Sequence, residues 1–339
     1  MLEVVIIFLF LSLVLYVLLG GADFGAGIVE FFLKKNKSAA QREIIGKAIG
    51  PIWEANHMWL IIIVVILFMG FPDVYSQVSI FLHIPLTCLL VGIVLRGTAF
   101  TFRHYDAIKD ESQKYYNLIF KYSSLWTSFF FGVVAGALTS QRINPQAINF
   151  LDLYVLDWFN LFSIMTGLFT VCIFGFLASV YLIGETNDED TKKYFIRVGR
   201  KLLIAMVVSG GLVFLTSEIT SAGLTQRFLD HPFAIITIIL TTISLPVLWR
   251  ALKKEKVLLS RLTAGFQVTM VVLTWVMVYS PYMLIYKNGT GLNLYQAAAP
   301  TATITNLAWA LLIGSCFILP SLFYLYKVFK SRPTSETNL

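Results

Sequence analysis

Residues 2–33 read LEVVIIFLFLSLVLYVLLGGADFGAGIVEFFL, and the only charged side chains among them are Glu3, Asp23 and Glu30. Crossing the roughly 30 Å of bilayer hydrocarbon takes about 20 apolar residues at helical rise, and this stretch is longer than that. Glu3 stands where a signal peptide would carry basic residues, and no convincing cleavage site follows. We therefore expect a transmembrane helix that is retained.

The rest of the chain has the same character. Of its 339 residues 57% are hydrophobic and 13% are charged, whereas soluble domains carry about 25% charged residues. Hydropathy, turn residues and charges predict an all-α integral membrane protein that forms a single polytopic domain over residues 1–339. The nine predicted spans lie near 3–33, 51–70, 77–100, 117–140, 158–184, 199–219, 232–250, 260–284 and 303–327.

Basic residues are distributed unequally between the two sides of these spans. Of the 26 Lys and Arg residues, only Arg142, Arg227 and Lys287 fall in the even-numbered connections. Because basic residues near span ends resist translocation, the odd-numbered connections and the C-terminus are predicted to be cytoplasmic and the N-terminus outside. The charges are spread over short loops at the lipid boundary and form no continuous patch, which argues against a nucleic-acid partner.

Four acidic residues fall within or at the edges of predicted spans: Asp23, Glu30, Glu54 and Glu218. A carboxylate at the bilayer centre costs about 2.5–3.5 kcal/mol even on insertion scales, so such residues are functional candidates. Asp23 is flanked by small residues that let helices approach closely, and we interpret it as functional. We interpret Glu30 as the solvated end of its span, and Glu218 as a local hydrogen-bonding or interface residue.

The segment PIWEANHMW, residues 51–59, places Glu54 and His57 three apart. On a helix they share a face, which sets a carboxylate beside the side chain whose unperturbed pKa lies near neutrality. Such a pair can form a proton relay. The alternative is that Glu54 neutralises the helix start and His57 is a satisfied core histidine. No HExxH or His-rich spacing accompanies the pair, so no metal site is predicted.

The segment RGTAFTFR, residues 96–103, ends the third predicted span. Arg103 lies where a long basic side chain reaches the lipid headgroups, and we expect it to do so. Arg96 lies one to two turns deeper, on the same side of the bilayer as Asp23 and Glu54. It either neutralises one of these acids or also extends to the headgroups.

Together, DFGAG at 23–27, GPIWEANHMW at 50–59 and RGTAFTFR at 96–103 resemble, in order and spacing, subunit II of the cytochrome bd quinol oxidases. The resemblance implies two four-helix bundles plus one peripheral helix, in the plasma membrane of a prokaryote. It also implies a pseudo-symmetric heterodimer with a larger subunit I that carries haem b, haem d and the quinol site. A small third subunit and a quinone bound to this chain are left open.

For the site, the resemblance implies that this subunit contributes an acidic proton-entry position, which is Glu54 here. His57 stands where the family commonly has Gln or Glu, and Asp23 matches the acidic segment. We therefore predict a proton pathway of Asp23, Glu54 and His57 with Arg96 as charge partner, no haem ligands in this chain, and catalysis of quinol oxidation by dioxygen in the complex. The alternatives are a proton-coupled secondary transporter and a purely structural subunit.

Overall fold

A computed structural model describes residues 1–33, 38–50, 53–105 and 111–330, without the side chains of Ser38, Glu54, Tyr105, Tyr326, Phe329 and Lys330. Almost all of this is helical. The helices are α1 Leu2–Leu15, α2 Gly21–Val29, α3 Ser38–Ile49, α4 Trp53–Gly70, α5 Pro72–Phe81, α6 His83–Tyr105, α7 Ser112–Thr139, α8 Phe150–Tyr154, α9 Leu161–Leu182, α10 Glu189–Thr220, α11 Leu224–Asp230, α12 Pro232–Lys253, α13 Val257–Tyr279 and α14 Thr301–Lys330.

Eight helical segments in the described part of the chain are long and apolar enough to cross a membrane, or up to nine if one bent pair is a single span. The bent pair is α4 and α5, whose axes differ by 113°. The protein is thus an all-helical membrane protein, as the hydropathy predicts. The nine-span count, the orientation and the division into two bundles stay predictions.

The third long helix begins at His83, later than the boundary near 77 that hydropathy suggests. Pro72 at the first position of α5 starts a separate helix, as its fixed φ and missing N–H allow. Leu82 then leaves the helical conformation and separates α5 from α6. Two connections contain secondary structure of their own. Helix α3 follows the first long helix, and after α13 strand β1 (Tyr282–Ile285) pairs antiparallel with β2 (Gly291–Asn293).

The first long helix contains a wider turn. α1 continues through a π turn, Tyr16–Gly20, into α2 and a closing 3₁₀ turn, Glu30–Phe32. Such π turns occur mostly as single insertions at functional sites. The side-chain amide of Asn56 on α4 donates to the main-chain oxygen of Leu19, 3.4 Å away, and so ties the π turn to α4.

α2 packs closely against α9 and α7, as its small residues predict. A Cβ at Gly21 would lie 2.7 Å from the ring of Phe174, and one at Gly25 would overlap the main-chain carbonyl of Phe174. Gly27 lies in the same way against Ser124 of α7. The glycines therefore bring three helices together where α2 carries its acids.

The end of the bundle opposite Glu30 contains a third buried acid, after Asp23 and Glu30. Asp157 lies in the connection between α8 and α9 and is 1% exposed. Burial and the neighbouring carboxylate of Asp152 raise the pKa of Asp157 to about 7, although the backbone N–H of Asn144 opposes this shift. Its main-chain oxygen accepts from the side chain of Asn160.

We expect Gly25→Ala to lower the thermal stability of the protein, because the added methyl group has to displace the backbone of α9. A loss of about 1–3 kcal/mol is typical of such overpacking. Gly211→Ala on α10 is the matched control, since its Cβ would meet nothing within 4 Å. Equal melting temperatures for the two variants would contradict the close packing described for α2 and α9.

Asp157→Asn should stabilise the protein increasingly as pH rises from about 4 to about 7. Over that interval the folded state binds more protons at Asp157 than the unfolded state does, so the wild-type residue costs stability as pH rises. The difference should be constant above about pH 7 and vanish below about pH 4. Melting temperatures at several pH values test this. The exposed Asp230→Asn is the control, and a pH-independent effect of Asp157→Asn would contradict the prediction.

Candidate functional site: a buried acid and arginine cluster

Asp23 and Arg96 form an ion pair inside the bundle. The Arg96 guanidinium donates through Nη2 to Oδ1 of Asp23 at 2.6 Å and to the main-chain oxygen of the same residue at 2.9 Å. Its Nε donates to Oγ of Ser124 at 3.2 Å. Both charged side chains are 1% exposed. Arg96 therefore contacts an acid within the protein and does not extend to the headgroups.

Aromatic rings surround the Arg96 guanidinium. Its Cζ lies 4.9 Å from the ring centre of Phe24 and 5.1 Å from that of Phe120. Guanidinium groups stack favourably on aromatic faces, most strongly where water is excluded. Phe120 also contacts Arg103, whose Cζ lies 4.4 Å from the ring centre. One phenylalanine thus separates two arginines.

Arg103 and Glu30 form a second buried pair, and here the sequence-based interpretation is wrong. Nη1 of Arg103 lies 2.7 Å from Oε1 of Glu30, and the Glu30 side chain is fully buried. Arg42 on α3 lies 3.8 Å from the other carboxylate oxygen. Arg103 therefore does not extend to the headgroups, and Glu30 is not a solvated helix end. The partner residues come from distant helices, so no local pattern indicates the pairing.

His57 lies on the other side of Asp23. Its Nε2 is 4.0 Å from Oδ2 of Asp23, too far for a direct hydrogen bond. Oδ2 is buried and has no protein hydrogen-bond partner. The His57 ring packs against Tyr16, Phe24 and Trp53, with ring centres 5.8 to 6.4 Å apart. One ordered water between the two side chains would complete the contact.

Glu54 belongs to α4, one turn before His57, and its side chain lies outside the described residues, as does Pro51. The predicted contacts of Glu54 are therefore expectations that follow from helix geometry alone. Residues three apart on a helix are neighbours, so Glu54 and His57 share a face of α4. Glu218 lies in the last turn of α10 and is exposed.

The sequence analysis missed two buried hydroxyl groups beside this cluster. Ser12 and Tyr16 are each 1% exposed, and neither hydroxyl has a protein hydrogen-bond partner. They lie four residues apart and so share a face of the first helix. Because Tyr16 contacts His57, these hydroxyls extend the polar region from Asp23 toward the middle of the helix. Their four-residue spacing was the available signal, but in an apolar run it is weak.

His57 and His104, the two histidines nearest this cluster, are not arranged as haem ligands. His57 is enclosed by three aromatic rings, and the Asp23 and Arg96 pair fills the space beside it. His104 stacks on Phe100 with ring centres 4.3 Å apart. Neither imidazole faces a partner ligand across an open cavity, as haem ligation requires. Among the described residues no group of three His, Cys, Asp or Glu could hold a metal ion.

A polytopic helical protein with paired charges in its interior is a membrane protein whose interior contains a candidate functional site. Residues 1–329 match the family model described as cytochrome bd terminal oxidase subunit II, and the chain belongs to this family. It is thus a multi-pass membrane subunit of an oxidoreductase complex, and a subunit II assembles with a subunit I.

Similar proteins agree with this assignment. The chain is 24% identical over 317 residues to cytochrome bd ubiquinol oxidase subunit 2 of Bacillus subtilis, covering 93% of this chain and 91% of that one. It is 27% identical over 167 residues to cytochrome bd-I ubiquinol oxidase subunit 2 of Escherichia coli K12, covering 48% and 40%. A chain in the structure of bd oxidase from Geobacillus thermodenitrificans has the same fold, with a TM-score of 0.76, 18% identity and coverage of 96% and 98%.

Arg96→Gln should destabilise the complex strongly, because Asp23 would keep a buried carboxylate without its cation. Breaking a buried pair from one side typically costs about 3–5 kcal/mol. Adding Asp23→Asn should recover much of this stability, since the remaining groups are neutral. Thermal unfolding of the purified complex measures both effects. Lys114→Gln removes an exposed pair with Glu111 and serves as control; equal losses in the two single variants would contradict the prediction.

Proposed function

We propose that this subunit supports a haem-carrying subunit I in a quinol:dioxygen oxidoreductase and supplies its proton-entry path from the cytoplasm. The relatives named as ubiquinol oxidase subunits favour a quinol as the reductant. Haem b, haem d and quinol oxidation belong to the partner in this proposal, as the family resemblance implies, and the enclosed rings of His57 and His104 are in keeping with this. Family membership also decides against the transporter alternative.

The observation that carries the proton path is the half-satisfied carboxylate of Asp23. Oδ1 is bound to Arg96, whereas the buried Oδ2 faces His57 across 4.0 Å without a protein partner. Reduction of oxygen inside a membrane consumes protons that hydrocarbon cannot deliver, so ionisable groups have to line an entry. Protons enter at Glu54 near the start of α4, pass to His57 one turn further, and reach Asp23, whose Oδ2 lies 4.0 Å from Nε2 of His57.

Arg96 and Asp23 have different tasks in this path. The guanidinium of Arg96 offsets the cost of burying the Asp23 side chain and binds its Oδ1, which leaves Oδ2 directed toward His57. A neutral imidazole can take a proton on one ring nitrogen and release one from the other. His57 is therefore the proton carrier in this proposal, and Arg96 positions Asp23 beside it.

A purely structural role is the second candidate, because Arg96 binds both Asp23 and Ser124 and ties α2 to α6 and α7. In that case the charged cluster stabilises the fold, and the loss of Glu54 has no kinetic effect. The two functions differ in turnover and not in assembly, so variants that assemble normally distinguish them.

Glu54→Gln and His57→Phe should each slow oxygen consumption by the intact complex about tenfold or more, because general acid–base groups typically contribute factors of about 10²–10⁴. Haem content, read from the b and d absorption bands, should not change. The slowing should grow with pH, since protons become scarcer at the entrance. Glu43→Gln is the control: it removes an exposed carboxylate on α3 that pairs with Lys47. Undiminished turnover in both variants would contradict the proton path and favour the purely structural role.

A further inference from the structure

A groove separates α10 from α12 on the outer surface of this chain. α10 packs on α9 and α12 packs on α13, so the two helices leave a space of about 430 Å³ between them. Its walls include Ile204, Val207 and Val208 of α10 and Leu245 and Trp249 of α12, and they are almost wholly apolar. The three α10 side chains are more than half exposed. An acyl chain is a suitable occupant for such a space.

Two arginines lie at one end of this groove. The Arg200 guanidinium stacks over the Trp249 ring, with its Cζ 5.3 Å from the ring centre, and so bridges the two helices. Nε of Arg200 is buried and has no protein hydrogen-bond partner. Arg250, one residue beyond Trp249, is exposed and belongs to the groove lining. The cationic end and the apolar walls are therefore continuous.

Among the described residues, four other arginines are paired with acids, and Arg200 and Arg250 are not. Arg42, Arg96, Arg103 and Arg261 each have a carboxylate within 4.0 Å. Within the described part of the chain, no carboxylate forms an ion pair with Arg200 or Arg250. A guanidinium presents a planar set of donors that matches phosphate oxygens. Two such groups without acid partners, next to an apolar groove, have the chemistry to bind an anionic headgroup.

We propose that the groove between α10 and α12 binds one anionic phospholipid, with its phosphate at Arg200 and Arg250 and an acyl chain along Ile204, Val207 and Val208. The geometry supports a headgroup at the arginines and an acyl chain beyond them. Ile204 and Val208 follow Arg200 by four and eight residues, which is about 6 and 12 Å further along the helix. A neutral lipid or a quinone would fill the apolar part but would not neutralise the arginines. This site is independent of the proton path.

Lipid retention by the whole oxidase complex tests the charged end. The complex is purified, stripped with detergent, incubated with phosphatidylglycerol or phosphatidylcholine, and analysed by native mass spectrometry. We expect one tightly retained phosphatidylglycerol and at least tenfold less phosphatidylcholine. Arg200→Gln with Arg250→Gln should lower phosphatidylglycerol retention about tenfold or more. Equal retention of the two lipids by the wild type would overturn the proposal.

The control for charge is Lys114→Gln with Lys193→Gln, which removes two exposed cations elsewhere. If this control loses as much lipid as the arginine variant, the lipid is held by general surface charge and the proposal is wrong. Val208→Trp tests the apolar end, because the indole fills the groove while both arginines stay. It should release the lipid with haem content unchanged. Retention of a quinone in place of the phospholipid would assign the groove to a different ligand and also overturn the proposal.

Discussion

The buried ion pair of Asp23 and Arg96 is the constraint on which the surrounding structure depends. Two charges removed from water cost several kcal/mol each, and only close contact and further hydrogen bonds offset that cost. Ser124 supplies one such bond, and the rings of Phe24 and Phe120 cover the guanidinium. Gly27 of α2 lies against Ser124 of α7, the residue that accepts from Arg96, whereas Gly21 and Gly25 lie against Phe174 of α9.

The second pair repeats the first with a regular offset. Glu30 follows Asp23 by seven residues, and Arg103 follows Arg96 by seven, so α2 and α6 form two contacts two helical turns apart. Phe120 lies between the two guanidinium groups and keeps them apart. Arg42 brings α3 to the pair of Glu30 and Arg103 as well. The residues that bind the two acids come from α3, α6 and α7. The cluster therefore links the first helix to all three of these helices.

Hydropathy was sufficient to predict an all-helical membrane protein, because helix length and apolar content are local properties of the chain. The residues near Asp23 were also predictable, since small residues and an acid inside an apolar run are visible in the sequence. The role of Glu30 was not, because its cation comes from a helix more than 70 residues away. The break at Leu82 and the π turn at Tyr16–Gly20 lie inside apolar runs, where hydropathy gives no sign of them.

The form of the Asp23 contact bears on whether the cluster carries protons or only stabilises the fold. A carboxylate with a purely structural role is bound best by a bidentate arginine, which donates hydrogen bonds to both of its oxygens. Here Nη2 of Arg96 is shared between Oδ1 and the main-chain oxygen of Asp23, and Oδ2 is left toward His57. Leaving that oxygen unpaired costs stability. The unpaired oxygen lies beside His57, the one imidazole in the cluster. The lost stability is explained if the contact between Oδ2 and His57 has to admit a water molecule and a moving proton.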